Sequence, residues 1–195
     1  MHDEKKQLRK LLRSQRRALS PIEVTAKSRL IAERLRAFAP FQQASALVLY
    51  SADENEVQTE LIWQDTIAQG KAVYYPRITA DRADLEFVRR SPGDRLIPGT
   101  FGILIPPGEE LLAALHETDI VLTPGVGFDR QGHRLGRGKG YYDRAFRGVL
   151  SGALRVALAH TFQVVSHIPA TAHDERVQYI LTEAELIDCP SADCQ

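Results

Sequence analysis

The chain has little cysteine and no long apolar run. Its two cysteines, Cys189 and Cys194, both lie near the carboxyl end of the 195 residues, so they do not form the disulfide framework of a small secreted domain. No stretch approaches the roughly 18 apolar residues that a membrane-spanning helix needs. The first residues also lack the apolar core of a secretory signal. We therefore expect a cytoplasmic protein without a membrane partner.

Several catalytic signatures are missing as well. The sequence contains no His-Glu-x-x-His helix, no Gly-x-Ser-x-Gly turn and no Cys-x-x-Cys pair, which are the signatures of zinc peptidases, serine hydrolases and thiol redox sites. Its six histidines show no zinc-ligand spacing. These absences disfavour zinc chemistry and covalent catalysis.

Charge is balanced overall but unevenly distributed. The 25 basic and 25 acidic residues give a net charge of zero, in a chain that is 44% hydrophobic and 26% charged, as in ordinary globular proteins. More than half of the basic residues fall in two blocks, 5–17 and 130–147. Concentrated positive patches on a neutral protein predict an anionic ligand held at a definite place rather than a surface coated for nucleic acid.

Hydrophobic patterning predicts alternating helices and strands. Five segments have the pattern of a helix. The first contains Leu8 to Leu19, and the second, 21–39, opens with the capping box of Ser20 and Glu23. The other three are 59–69, 111–117 and 141–149. Short apolar runs of the strand type are 46–50, 72–75, 85–88, 120–122, 154–159 and 177–181.

This alternation predicts an α/β sandwich with a largely parallel sheet. No linker or internal repeat divides the chain, so we expect a single domain over 1–195, with 188–195 as a frayed tail. Ligands of such sheets bind beyond the carboxyl ends of the strands. Tyr50, Pro76 and Pro124 mark three of those ends.

The segment 132–143 carries the most information. Gly136, Gly138 and Gly140 alternate with Arg137 and Lys139 directly before a predicted helix. Glycine lets the backbone approach a ligand closely, and backbone N–H groups with two cations make a phosphate site. The spacing matches neither a Walker A loop nor a dinucleotide fingerprint. The alternative is a flexible surface loop, which is less common at this length within a compact domain.

Carboxylates follow the first predicted strand. Asp53, Glu54 and Glu56 are suited to accept hydrogen bonds from a ligand or to bind a metal, although a solvated acidic turn is an equal alternative. Asp143 and Asp174 are single carboxylates that could complete a Mg²⁺ shell beside substrate phosphates. The basic amino-terminal helix, taken alone, is typical of a solvated face or a nucleic-acid-binding arm.

These residues resemble a known family. The run 124–132 leading into 134–143 looks like the signature of 5-formyltetrahydrofolate cyclo-ligases, also called methenyltetrahydrofolate synthetases. The segment 5–20, Glu56-Val57 with Thr59, Pro76-Arg77 and 99–106 are similar to that family in the same order. One departure is Ile105, where the family would have an acid.

The resemblance implies a three-layer α/β/α sandwich and an enzyme that cyclises 5-formyltetrahydrofolate to 5,10-methenyltetrahydrofolate, converting ATP to ADP and phosphate. It implies catalytic roles for Arg137, Lys139 and Tyr141, and a Mg²⁺ site at Asp143 and Asp174. The ATP-binding residues would be Lys5, Lys6, Gln7, Leu8, Arg9, Arg134, Leu135, Gly136, Arg137, Gly138, Lys139, Gly140, Tyr141 and Tyr142. The folate-binding residues would be Ser51, Glu56, Arg137, Gly138, Lys139, Gly140 and Tyr141.

Two other functions fit parts of the pattern. One is a non-catalytic nucleotide-binding regulator of the same fold, which would not need the acid at Glu56. The other is an RNA-binding protein that uses the basic helix with Tyr141 and Tyr142, which the balanced total charge disfavours. We expect small-molecule substrates, no nucleic-acid partner and a monomer.

Overall fold

A computed structural model describes residues 2–79, 84–171 and 173–190. The helices in this part of the chain are α1 (His2–Arg17), α2 (Pro21–Ala37), α3 (Ala39–Gln43), α4 (Glu60–Ala68) and α5 (Tyr141–Arg147). The strands are β1 (Ala46–Val48), β2 (Ala72–Ile78), β3 (Leu85–Arg89), β4 (Ile97–Pro98), β5 (Leu104–Ile105), β6 (Ile120–Thr123), β7 (Gly127–Asp129), β8 (Arg134–Leu135), β9 (Leu154–Leu158), β10 (Val164–Val165), β11 (Tyr179–Leu181) and β12 (Leu186–Asp188).

A seven-stranded sheet in the order β12-β11-β9-β6-β1-β2-β3 forms the centre of the protein. The five inner strands run parallel, and the edge strands β12 and β3 pair antiparallel with their neighbours. The mainly parallel α/β sheet predicted from the sequence is therefore confirmed. The carboxyl ends of β1, β2 and β6 lie side by side at one edge of the sheet.

Helices cover both faces of this sheet. Leu47 of β1 packs on one side with Ile31 of α2, Phe41 of α3 and Ile62 of α4. The next residue along the strand contacts the opposite layer, which contains Phe146 of α5. Side chains of a strand alternate between faces, so the apolar run at 46–50 serves two cores. This arrangement confirms the three-layer sandwich.

The capping box predicted at the start of α2 is present. Ser20 Oγ accepts the N–H of Glu23 at 3.3 Å, and the Glu23 carboxylate accepts the N–H of Ser20 at 2.8 Å. Each side chain thus satisfies a backbone donor that the helix leaves unpaired. In the described part of the chain no helix is long and apolar enough to cross a membrane.

The helix predicted over 111–117 is wrong. Leu111 forms a β-bridge with Val88, and the N–H of Leu112 donates to the carbonyl oxygen of Phe87 at 2.8 Å. Strand β3 is the edge of the sheet and offers unpaired backbone groups. Pairing with that edge competes successfully with helix formation in this short segment.

The sequence predicts that Pro76 ends its strand, and this prediction is wrong. β2 continues through it to Ile78. Leu49 donates its N–H to Tyr74 O at 2.8 Å, so Tyr74 and Pro76 turn their backbone groups towards β1. Because β1 has already ended at Val48, the missing N–H of Pro76 faces no partner strand, which is where proline is tolerated.

The carboxyl-terminal segment is more ordered than predicted. Asp188 closes β12, and Cys189 is buried and donates its N–H to Gln178 O at 2.8 Å. The expectation of a frayed tail is therefore wrong for these two residues. Residues 191–195, which include Cys194, lie outside the described residues.

Candidate active site

A cavity of about 550 Å³ opens at the carboxyl ends of β1, β2 and β6. Tyr50, Pro76 and Pro124, the three residues taken from the sequence as markers of strand ends, all line it. Ligands of parallel sheets bind at the carboxyl ends of the strands. The cavity therefore joins the segments that carry the predicted site residues.

The glycine-rich segment forms one wall of the cavity. The polar, glycine-rich composition of 125–140 predicts a loop, but residues 127–135 form a hairpin of β7 and β8, whose strands pair at Phe128 and Arg134. Gly138 and Gly140 follow it with φ of +97° and +67°, a region that side chains other than glycine rarely adopt. Gly136 meets a different constraint, since a Cβ there would lie 2.8 Å from Arg134 Nη1.

The amino-terminal helix lies against this wall. Lys5 Nζ donates to Asp174 Oδ2 at 2.8 Å, and Arg9 Nε donates to the carbonyl oxygen of Gly136 at 2.9 Å. Both cations line the cavity. Their predicted neighbours do not line it: Lys6 and Gln7 are exposed, and Leu8 packs against the apolar cluster of Leu12, Val126, Leu135 and Ile168.

Lys139 and Tyr142 have side-chain groups without partners in the part of the chain that the structure describes. Lys139 is exposed at the cavity, and its ammonium group makes no hydrogen bond or ion pair there. The hydroxyl of Tyr142 is buried without a hydrogen-bond partner, and burial raises its pKa. Tyr141, also a lining residue, has its ring 5.3 Å from the guanidinium carbon of Arg144.

Glu56 lies in the cavity wall between two guanidinium groups. Its side chain is 8% exposed, and its Oε1 lies 3.3 Å from Arg16 Nη1 and 3.1 Å from Arg137 Nη2. Burial raises the pKa of Glu56, and the two arginines offset that effect only in part. The site thus holds a buried carboxylate next to the glycine-rich segment.

Asp53 and Glu54 behave differently from Glu56. Asp53 is half exposed at the cavity and accepts from Arg137 Nη1 at 2.9 Å. Glu54 points away from the cavity to Arg13 and Arg17 on α1. Burial opposes the charge on Glu54, but hydrogen bonds from these arginines outweigh it and lower the pKa of Glu54 to about 2. Of the three acids, only Asp53 and Glu56 are available to a ligand in the cavity.

Arg137 joins the two parts of the site. Burial alone would lower its pKa, but the carboxylates of Glu56 and Asp53 raise it above the ordinary value. The same guanidinium extends from the glycine-rich segment, between Gly136 and Gly138. The predicted phosphate region and the predicted folate region are therefore in contact through one side chain.

Asp143 and Asp174 line the same cavity. Asp143 Oδ1 accepts from Arg134 Nη2 at 2.9 Å, and Asp174 Oδ2 accepts from Lys5 and from the N–H of Thr171 at 2.7 Å. Burial opposes the charge of Asp174, but the bonds from Lys5 and Thr171 lower its pKa. The second carboxylate oxygen of each aspartate accepts no hydrogen bond from the described residues, so both retain an oxygen suited to a hard divalent cation.

Another wall of the cavity is apolar. Ile103 and Ile105 line it, the latter at the position where the sequence departs from the family pattern, and Phe101 at the rim is 80% exposed with a φ of +59°. Ser51 donates its hydroxyl to the carbonyl oxygen of Leu104 and thereby ties this segment to the end of β1. The turn-rich composition of 91–100 gave no indication of this wall.

Arg16 is the site residue that sequence reasoning missed. The sequence places it in the basic block and in the family-like segment 5–20 and predicts no role for it in the site, yet its side chain is 1% exposed and touches Glu56. Burial lowers the pKa of Arg16, although Glu56 and Glu54 counteract this. Its position four residues after the buried Leu12 places it on the apolar face of α1, and that misplaced charge was the available signal.

The chain is similar to known proteins over most of its length. The model of the 5-formyltetrahydrofolate cyclo-ligase family matches residues 1–183. The mouse 5-formyltetrahydrofolate cyclo-ligase is 32% identical over 189 residues, covering 92% of this chain and 93% of the mouse protein. The Escherichia coli K12 cyclo-ligase is 27% identical over 179 residues, covering 90% of this chain and 98% of that protein.

A solved structure shares the architecture as well as the sequence. The NMR structure of Aquifex aeolicus 5,10-methenyltetrahydrofolate synthetase superposes with a TM-score of 0.83 at 30% identity, covering 98% of this chain and 95% of that one. The chain therefore belongs to the 5-formyltetrahydrofolate cyclo-ligase family, as its sequence and its fold both show.

Proposed function

We propose that this member of the family converts 5-formyltetrahydrofolate and ATP to 5,10-methenyltetrahydrofolate, ADP and phosphate within the cavity described above, with Arg137 at the junction of the two substrates. The observation that carries the proposal is the position of Arg137, which contacts Glu56 and Asp53 from within the glycine-rich segment. A phosphate on that segment and a folate on Glu56 would both lie within reach of one guanidinium.

The proposed chemistry is phosphoryl transfer followed by ring closure. The formyl oxygen attacks the γ-phosphorus of ATP, and the bond to ADP breaks. N10 of the folate then attacks the activated formyl carbon and releases its proton to solvent, the carbon–oxygen bond breaks, and phosphate leaves with that oxygen. Such a reaction needs positioning and neutralisation of charge more than a protein nucleophile, and Arg137 and Lys139 supply two cations.

For ATP, we propose the residues that bring a cationic side chain to the cavity lining. Lys5, Arg9 and Lys139 would neutralise phosphate charge, and the backbone of the glycine-rich segment would approach the phosphates closely. Of the larger set predicted from the sequence, Lys6, Gln7 and Leu8 have the weakest support, because they do not line the cavity.

The family's use of ATP implies a divalent metal, and we propose Mg²⁺. Asp143 and Asp174 fit it, since each keeps one carboxylate oxygen without a hydrogen-bond donor among the described residues and both line the cavity. No described cluster of three or more His, Cys, Asp or Glu could hold a metal alone. Mg²⁺ commonly takes one or two carboxylates and completes its shell with phosphates and water, and when bound it would neutralise phosphate charge.

For the folate, we propose that Glu56 accepts hydrogen bonds from the N–H groups of the pterin ring while Ser51 and the apolar wall enclose the ring system. A buried carboxylate beside apolar side chains suits a flat ring with N–H donors on its edge. Tyr141 would act where the two substrates meet.

The direct test is to mix the purified protein with ATP, Mg²⁺ and 5-formyltetrahydrofolate and to record methenyl absorbance. Product that requires both substrates supports the proposal. ATP binding without product would indicate a non-catalytic regulator. An RNA-binding function has less support, because Arg13, Arg16 and Arg17 of the basic helix are engaged by Glu54 and Glu56. The cytoplasmic location, the monomeric state and the lack of a nucleic-acid partner stay predictions.

A further inference from the structure

Arg16 carries a buried charge whose hydrogen bonds are incomplete. Nε donates to Glu54 O at 2.9 Å, and Nη1 lies 3.3 Å from both Glu56 Oε1 and Gly125 O. Nη2 is buried without a hydrogen bond, 3.5 Å from a Glu54 carboxylate oxygen. Burying a guanidinium in this way is unfavourable unless its interactions compensate. A role in stability alone does not explain why the charge is kept beside Glu56, a carboxylate that lines the cavity.

The two cations that touch Glu56 differ in how firmly they are held. Arg137 extends from the glycine-rich segment, and its side chain is 40% exposed. A bound phosphate would compete with Glu56 and Asp53 for that guanidinium, because charge-assisted bonds to phosphate are strong. Arg16 is anchored in α1 and shielded from solvent. It would therefore stay beside Glu56 if Arg137 turned to a bound phosphate.

Arg16 also restrains the backbone that carries Glu56. Glu54 and Asn55 have φ of +49° and +61°, conformations that cost free energy for residues other than glycine. The turn is held by Arg16 Nε on Glu54 O and by Asn55 Nδ2, which donates to the carbonyl oxygens of Arg16 and Leu19 at 3.1 and 2.9 Å. The end of α1 thus fixes both the charge and the direction of the Glu56 side chain.

We propose that Arg16 is a positioning residue for the folate: it acts through Glu56, holding that carboxylate ionised and in place while Arg137 serves the phosphates. This inference rests on the proposed function, specifically on Glu56 as the folate acceptor. It assigns Arg16 no contact with either substrate. The prediction is a selective loss of folate affinity that exists only when Glu56 is present.

The test is a double-mutant cycle with Arg16→Met, Glu56→Gln and the double variant, using calorimetry to measure the Kd of 5-formyltetrahydrofolate and of ATP. Arg16→Met alone is expected to weaken folate binding by about tenfold and to raise the folate KM more than it lowers kcat. The Kd of ATP is expected to change by less than about threefold. In the Glu56→Gln background the same change is expected to add less than about twofold.

Arg17→Met is the matched control. Arg17 lies on the same helix, bonds only to Glu54 in the described residues and is mostly exposed, so its loss is expected to leave both affinities unchanged. Arg16→Lys guards against unfolding of the methionine variant. It keeps the charge without the planar fork, and its loss of folate affinity should be about threefold, smaller than that of Arg16→Met.

Three results would overturn the proposal: unchanged folate affinity in both Arg16 variants, equal weakening of ATP and folate, or a full additional loss in the Glu56→Gln background. Wild-type folate binding by Glu56→Gln would instead remove Glu56 from the site, and the role of Arg16 would fall with it. Weak binding by Glu56→Gln beside normal binding by Arg16→Met would refute the role of Arg16 alone.

Discussion

The guanidinium of Arg137 donates from Nη2 to Oε1 of Glu56 at 3.1 Å. One residue belongs to the glycine-rich segment and the other to the turn after β1, 81 positions away in sequence. The contact closes the charged wall of the cavity, and it places the two predicted binding regions next to each other. A reaction in which the formyl oxygen of a folate attacks a phosphate of ATP needs the two binding regions to be adjacent.

Arg137→Ala and Lys139→Ala are each expected to reduce kcat by roughly 10²–10³, the usual effect of losing one contact to charge in a transition state. Arg130→Ala is the control, because Arg130 is exposed and pairs with Glu185 away from the cavity. Steady-state turnover with saturating substrates measures the effect. Rates within a few-fold of wild type for both variants would remove these cations from the reaction.

Glu56→Gln is expected to lower folate affinity by roughly one to two decades, since a hydrogen bond to a charged partner contributes about 1.5–3 kcal/mol. ATP affinity should change little. The melting temperature should also fall, because the buried Arg16 loses one of its two carboxylate partners. Asp65→Asn, which alters only a surface pair with Arg36, is the control. Calorimetric titration that finds wild-type folate affinity would contradict the assignment.

Acid should destabilise the protein partly through Glu54. Its pKa in the folded state is lowered from 4.5 to about 2, so its stabilising contribution is fully present above pH 4.5 and is lost as the pH falls towards 2. Urea unfolding of wild type and Glu54→Gln at a series of pH values measures it. The stability gap is expected to be widest at neutral pH and to narrow below pH 4.5; a gap that is independent of pH would contradict this role.

Asp143→Asn and Asp174→Asn are each expected to raise the Mg²⁺ concentration needed for half-maximal activity by about tenfold, because one charged ligand is lost from a site that has few. The activity at saturating Mg²⁺ should recover in part. Asp65→Asn again serves as the control. An unchanged Mg²⁺ requirement in both variants would show that the metal binds through the phosphates alone.

Gly132→Ala and Gly93→Ala separate two reasons for glycine. Both residues have positive φ, +82° and +90°, but only at Gly132 would a Cβ clash, 2.3 Å from Val177 O. Gly93→Ala is expected to lose about 1 kcal/mol from the strained backbone alone, and Gly132→Ala clearly more. Denaturant unfolding measures both, and equal losses would mean that the hairpin moves freely away from Val177.

Local chemistry explains what could be predicted from the sequence. The capping box at Ser20 and the apolar run at Leu47 are readable because their partners lie within a few residues. Pro76 and the segment from Leu111 were misread because their pairing depends on strands β1 and β3, which are distant along the chain. Tertiary contacts determine the structure of those two segments, and a short stretch of sequence does not include the residues that make these contacts.

The site residues also divide into those that local sequence predicts and those that depend on tertiary contacts. The phosphate region could be predicted from the glycines around Arg137, because the backbone freedom of glycine is a local property. The turn at Glu54 and Asn55 offers no such signal, since its left-handed backbone depends on hydrogen bonds from α1. Arg16 looks like any other base in a basic block until the fold buries it against Glu56.

The most direct measurement follows ADP and methenyltetrahydrofolate in the same reaction with purified protein, Mg²⁺ and both substrates. We propose that a phosphoryl group is transferred from ATP to the formyl oxygen before ring closure, within one cavity. ADP and methenyltetrahydrofolate are therefore expected to form in equal amounts, and neither should form when one substrate is omitted. ADP formation without folate, or methenyl product without ATP, would contradict the coupled reaction.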